Sequence, residues 1–178
     1  FFPAIFVLGL STLILSNGSD ITSTITTADS NMGILTLLGS STITGAVGTN
    51  TDKLAQVNSG TNGSSSTITD NVYAVNVTNT GTGTTTFKND LTATNLNVNA
   101  GTTNVEDNLT ATTTTITTGT GNFNTISGNT SSNISFTGVG TANLYGNLTG
   151  NITTTADNQG IVTVVGDSNG KIQTITGN

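Results

Sequence analysis

The sequence contains no cysteine, histidine, tryptophan or arginine, and only one proline and one methionine among 178 residues. Without cysteine there is no disulfide and no thiolate metal site. Without histidine or cysteine, neither a Ser-His-Asp nor a Cys-His catalytic arrangement can be built. Charge is scarce as well. Three lysines (Lys53, Lys88, Lys171) stand against nine acidic residues, for a net charge of −6. Three scattered cations make no phosphate-binding patch, which argues against nucleic acid as a partner.

Threonine (42 residues), asparagine (24) and glycine (22) take up the space instead. Low charge with many small polar residues is one signature of disorder. Against it, Thr, Val and Ile favour strands, and apolar residues recur in short alternating runs. Stretches such as LTATTTTITTG (109–119) have low helix propensity. The sequence therefore predicts an ordered all-β chain.

The opening FFPAIFVLGLSTLIL is the most apolar stretch. It lacks the preceding positive charge and the small-residue cleavage site of a secretion signal. It is short for a membrane helix, and Pro3 and Gly9 interrupt it. Alternation of Phe6, Leu8 and Leu10, then of Leu13 and Leu15, predicts strand. Residues 1–20 are read as an end rung or subunit contact, with a retained leader as the alternative. Residues 21–178 are read as the main body.

Two repeats organise that body. ITTADSNMGILTLLGSST (25–42) returns as ITTTADNQGIVTVVGDSN (152–169), so that Gly33 pairs with Gly160, 127 positions on, and Asp29 pairs with Asp157. Both aspartates precede a turn glycine and read as Asx-type turn formers. A shorter frame runs through GTTTFKNDLTAT, GTTNVEDNLTAT, GTGNFNTIS and GTANLYGNLTGN, which begin at Gly83, Gly101, Gly119 and Gly140. In this frame Phe87, Val105, Phe123 and Leu144 share one core position. Asn104, Asn122 and Asn143 fall just before it, and Leu91, Leu109 and Leu148 share a later one.

A unit of 18 to 21 residues is too small to bury a core alone. Stacked units pair each strand with its equivalent about 4.8 Å above and below and stack their apolar side chains inside. The expected fold is a right-handed parallel β-helix (β-solenoid), with the asparagines laddered at a turn. A β-sandwich is the alternative, but it gives no reason for a fixed frame. About nine rungs follow from the length, giving roughly 45 Å of rod. The 127-residue repeat then covers about six rungs, with a second copy beginning near the C-terminus. No polar cap follows GKIQTITGN, which predicts either a continuing parent chain or a stacked subunit.

The pattern of an acidic-Asn turn, then G-I-x-T-x-x-G-x-S, then T-G-x-V-G resembles the passenger repeats of rickettsial surface-antigen autotransporters of the outer membrane protein B type. It covers residues 20–60 and 147–178 well, and the Thr/Asn stretch between them more loosely. The resemblance implies a secreted, cell-surface β-helix serving adhesion or a surface layer. Its partners would be further copies, end to end or side by side, host surfaces, or outer-membrane components.

Little in the sequence carries chemistry. Asp90, Glu106 and Asp107 fall at nearly equivalent frame positions, where stacking would bring carboxylates together as a glycosidase needs. The simpler reading is a set of solvated turn carboxylates near Lys88. Acidic turns could also hold structural calcium, but no dense D-x-D-x-D loop is present. No cofactor is expected. Sequons at Asn17, Asn62, Asn76, Asn108, Asn129, Asn133, Asn147 and Asn151 are many, as chance predicts in so Asn- and Thr-rich a chain. Outward threonine rows would suit an ice-binding face. In the 18-residue frame Thr92 and Thr94 align with Thr110 and Thr112, and then the row is lost. The sequence thus reads as a non-enzymatic extracellular rod, with a carbohydrate-acting enzyme or an ice-binding protein as alternatives.

Overall fold

The computed structural model describes residues 4–61, 63–117, 121–125, 127–165 and 173–177. Those residues form an all-β solenoid of parallel strands in about eight turns, with no helix. The first coil comprises β1 (Ile5–Phe6), β2 (Thr12–Leu15) and β3 (Asp20–Ile21), and the second β4 (Ile25–Thr26), β5 (Met32–Leu37) and β6 (Thr42–Ile43). The third carries β7 (Leu54–Ser59) and β8 (Ser65–Ile68). Three regular coils follow: β9 (Val72–Asn79) with β10 (Thr84–Phe87), β11 (Leu91–Val98) with β12 (Thr102–Val105), and β13 (Leu109–Ile116) with β14 (Asn122–Thr125). The remaining strands are β15 (Thr130–Phe136), β16 (Thr141–Leu144), β17 (Leu148–Thr149), β18 (Ile152–Thr154), β19 (Ile161–Val164) and β20 (Ile175–Thr176).

Each coil presents three faces. The eight-residue strands β9, β11 and β13 change phase in their middle: Thr94 and Thr112 both point outward beside a second outward residue, Asn95 and Thr113. That break divides each long strand into face 1 and face 2. The four-residue strands form face 3, an eight-stranded sheet running from β3 to β19. Along face 1 one ladder runs Ile5, Ile25, Val47, Val72, Leu91, Leu109, Thr130, Leu148 and Ile175. Its step is 18 to 21 residues from Val72 to Leu148, 25 between Val47 and Val72, and 27 between Leu148 and Ile175. About eight turns, rather than nine rungs, therefore use the chain, because the steps from Ile25 to Val72 and from Leu148 to Ile175 are longer than the central frame.

Strand alternation fills the interior. Leu35, Val57, Val77 and Leu96 stack on face 2, and Ile43, Ile68, Phe87 and Val105 on face 3, all at most 1% exposed. Each such side chain contributes about 1.5–3 kcal/mol by leaving water. The core becomes polar at one corner. Asn79, 1% exposed, donates from Nδ2 to Thr102 O (2.9 Å) and Thr103 Oγ1 (3.2 Å), and Thr85 Oγ1 bonds Ser59 Oγ (2.8 Å). Asn79 fits because Gly60 has no Cβ, which would fall on Asn79 Oδ1. Face 1 also carries polar residues inside, among them Ser132 and Thr130, and the buried Oγ1 of Thr130 lacks a hydrogen-bond partner.

Residues 4–20 are coil one of the solenoid. Leu15 is buried and Leu13 half-buried, whereas Phe6, Leu8 and Leu10 point outward on the opposite phase from Val7.

The long repeat is not a whole number of coils. Ile25 stands on face 1 and residues 34–37 on face 2, but Ile152–Thr154 pairs with face 2 and Ile161–Val164 with face 3. Both copies then read Thr-Ile-Thr-Gly (42–45, 174–177), with Ile43 on face 3 and Ile175 on face 1. The repeat thus spans six turns and one further face, so its second copy is rotated by one face.

Candidate interaction surface

A solenoid coil has two kinds of surface, strand faces and corners, and this chain divides its polar groups between them. Asp29, Asp52, Lys53, Asp70, Lys88, Asp90, Glu106, Asp107 and Asp157 all lie in corners. Among the described residues only Asp20, heading β3, is a charged residue within a strand. The outward face positions of the middle coils are mainly Thr, Asn and Ser, which are neutral and in several places hydrogen-bond along the rod.

On face 3 the outward file Thr67, Thr86, Asn104, Asn124, Asn143, Thr163 runs in register through successive coils. Asn143 Nδ2 donates to Asn124 Oδ1 (2.7 Å), and Asn124 Nδ2 to Asn104 Oδ1 (2.8 Å). Asn104 Nδ2 reaches Thr86 Oγ1 at 3.4 Å. This corrects the sequence frame. Asn122 belongs to the neighbouring file, paired with Thr102 and Thr141, and Asn124 takes its place in the ladder. The ladder also lies on strands, not in a turn.

The same two-residue displacement moves Phe123. It stacks between Thr103 and Ala142, while Thr125 continues the ladder of Phe87 and Val105. Leu144 follows Thr125 by the adjacent register of Asn124 with Asn143, and it pairs onward with Val164. Gly119 lies outside the described residues. The glycine that follows Gly83 and Gly101 at the entrance to face 3 is Gly121, whose carbonyl accepts from Thr141 N. Gly140 comes next, accepting from Ile161 N, and Gly160 precedes Ile161. The cause is spacing along the chain: five residues separate Ile116 from Asn122, whereas three separate Val98 from Thr102. Leu91, Leu109 and Leu148 do share one ladder, with Thr130 between the last two.

A second asparagine ladder, in a corner, went unread in the sequence. Asn108 Oδ1 accepts Asn129 N, Asn129 Oδ1 accepts Asn147 N, and Asn147 Oδ1 accepts Thr174 N, all at 2.9–3.0 Å. Each asparagine stands one residue before the face 1 ladder. Its signal was present as the sequon: Asn for the corner, an inward residue, then an outward Thr or Ser. Asp90 heads this ladder, accepting Asn108 N at 3.2 Å. Its equivalent is therefore Asn108, not Glu106 or Asp107. Asn108 Nδ2 bridges the Asp90 and Asp107 carboxylates at 3.0 and 2.9 Å.

Asp29 and Asp157 are exposed corner residues. The left-handed backbone sits beside them, on Asn31 (φ 67°) and Gly33 (φ 72°) in the first copy and on Asn158 (φ 60°) and Gly160 (φ 77°) in the second. A Cβ on Gly33 would come within 2.9 Å of Val7 O, and one on Gly160 would meet the Phe136 ring.

Two open hollows flank the faces. One, about 220 Å³, lies along Ala111, Ser132 and Gly150, and the other, about 270 Å³, beside Asn17, Gly39 and Ser64. Neither is lined by an ionisable side chain. Among the described residues no group of three or more carboxylates converges. Comparison with known proteins gives no matching family, no matching curated protein and no matching solved structure.

Proposed function

We propose that the chain is a non-enzymatic, extracellular structural or adhesive rod of a bacterial cell surface, of the kind the rickettsial passenger repeats suggest. The observation that carries this reading is the division of its surface: charge in the corners, and on face 3 a neutral, mostly polar strip that repeats through successive coils. A surface of this kind binds by multiplicity. Weak, equivalent contacts at each coil add through effective concentration, without any deep pocket. Further support comes from Phe6, Leu8, Leu10 and Ile14, which leave an exposed apolar edge on coil one suited to self-association.

The test uses the purified chain. Electron microscopy reads ordered self-association, and incubation with cultured host cells and outer-membrane vesicles reads saturable binding. Either result supports the rod. A dispersed protein that binds none of these surfaces sinks it. Hydrolysis of a polysaccharide panel that is lost in Asp90→Asn would favour the enzyme instead.

A further inference from the structure

We propose that face 3 is an ice-binding surface, a second function independent of the surface-rod reading. Beside the file of Thr67 to Thr163 lies another in register: Ser65, Thr84, Thr102, Asn122, Thr141 and Ile161. Every coil from β8 to β19 therefore shows an outward pair two residues apart, which the uniform 18-residue frame had concealed. Parallel strands set the pairs about 4.8 Å apart along the rod and roughly 6.6 Å apart across it. Both distances lie near repeats of the prism face of hexagonal ice. Water held over the two files is thereby placed close to lattice positions.

The chemistry of the files suits water better than a protein. Threonine offers a methyl group, which restricts the water around it, and a hydroxyl that both donates and accepts. Neither file carries a charge between Ser65 and Thr163. The Asn104–Asn124–Asn143 amide chain fixes its side chains, so little freedom is lost on binding. The strip is also small. Six strands at about 4.8 Å give roughly 24 Å of length between the first and last. With only two files across it, the strip falls well short of the ~800 Å² per partner of a stable protein interface. A growing lattice needs register rather than area.

The experiment is nanolitre osmometry with microscopy of single ice crystals in the purified chain. The expected result is faceted crystals and a gap between melting and freezing points. Thr84→Lys with Thr102→Lys abolishes both, whereas Thr113→Lys with Thr115→Lys, on face 2, leaves them. Circular dichroism checks that each variant keeps its β signal. Thr102→Tyr, which retains strand propensity, replaces the lysine pair if that pair unfolds. Round crystals without a gap in the unmodified chain overturn the proposal, as does equal loss in the face 2 variant. Neither result bears on adhesion or self-association, which fail or succeed in their own assays.

Discussion

Asn31 and Asn158 hold the same left-handed backbone, at φ 67° and 60°, yet they turn different corners of one solenoid. Asn31 leads from face 1 to face 2, and Asn158 from face 2 to face 3. The repeated segment is thus a portable strand–corner–strand piece, and the three faces accept it interchangeably. Asparagine tolerates this conformation better than other residues with a Cβ. Asn31→Gly and Asn158→Gly are each expected to leave stability unchanged or slightly raised. Asn31→Val and Asn158→Val should each cost about 1–2 kcal/mol. Urea denaturation followed by circular dichroism measures all four, and a cost at one site alone would contradict the shared conformation.

Thr130 interrupts an apolar ladder between Leu109 and Leu148 with an unpartnered hydroxyl. An unsatisfied buried group costs about 1–3 kcal/mol. Thr130→Val, of nearly equal shape, should raise stability by about 1 kcal/mol. The check is the denaturation midpoint at unchanged slope.

Gly60 combines a φ of +76° with the close approach of Asn79. Gly60→Ala meets the left-handed penalty of about 1–2 kcal/mol and also displaces a buried amide. Asn79→Ala loses that amide's bonds but vacates the space. The double variant should cost less than the sum of the two singles. Additive costs from a double-mutant cycle would show that the two residues do not touch.

The corner ladder depends on an acceptor, not on an amide as such. Asn129→Ala leaves Asn147 N without Asn129 Oδ1 and should cost about 1 kcal/mol. Asn129→Asp keeps the oxygen and should recover most of that loss. Hydrogen exchange at the Asn147 amide reads the effect directly: faster in the alanine variant, near normal in the aspartate variant.

The sequence disclosed the fold because an 18-residue frame carries stacked core positions, and Phe87, Val105, Leu91 and Leu109 fall where that frame puts them. It misplaced Phe123 and Asn122 because a corner absorbs extra residues at little cost while strands keep strict register. TGTGN offers two glycines to one frame position, and the one that the structure places directly before Asn122 is Gly121. The asparagine corner ladder was hidden for another reason. Its members fix the next coil through a backbone N–H, which leaves no complementary side chain to find. The one-face rotation of the long repeat was equally out of reach, since local sequence specifies a corner but not which of three similar corners it becomes.

Both the adhesive faces and the ice-binding files follow from the coil register. A chain without cysteine makes a direct measurement simple. Cysteines at Asn104 and Asn124 should stand on neighbouring strands within disulfide range, where Cα atoms are about 4.4–6.8 Å apart. Cysteines at Asn104 and Asn122 should stand diagonally, roughly 8 Å apart by strand and rise spacing. Under mild oxidation the first pair is predicted to close quickly within one chain and the second slowly or not at all. Preferential closure of Asn104 with Asn122 would contradict the register and the surface built on it.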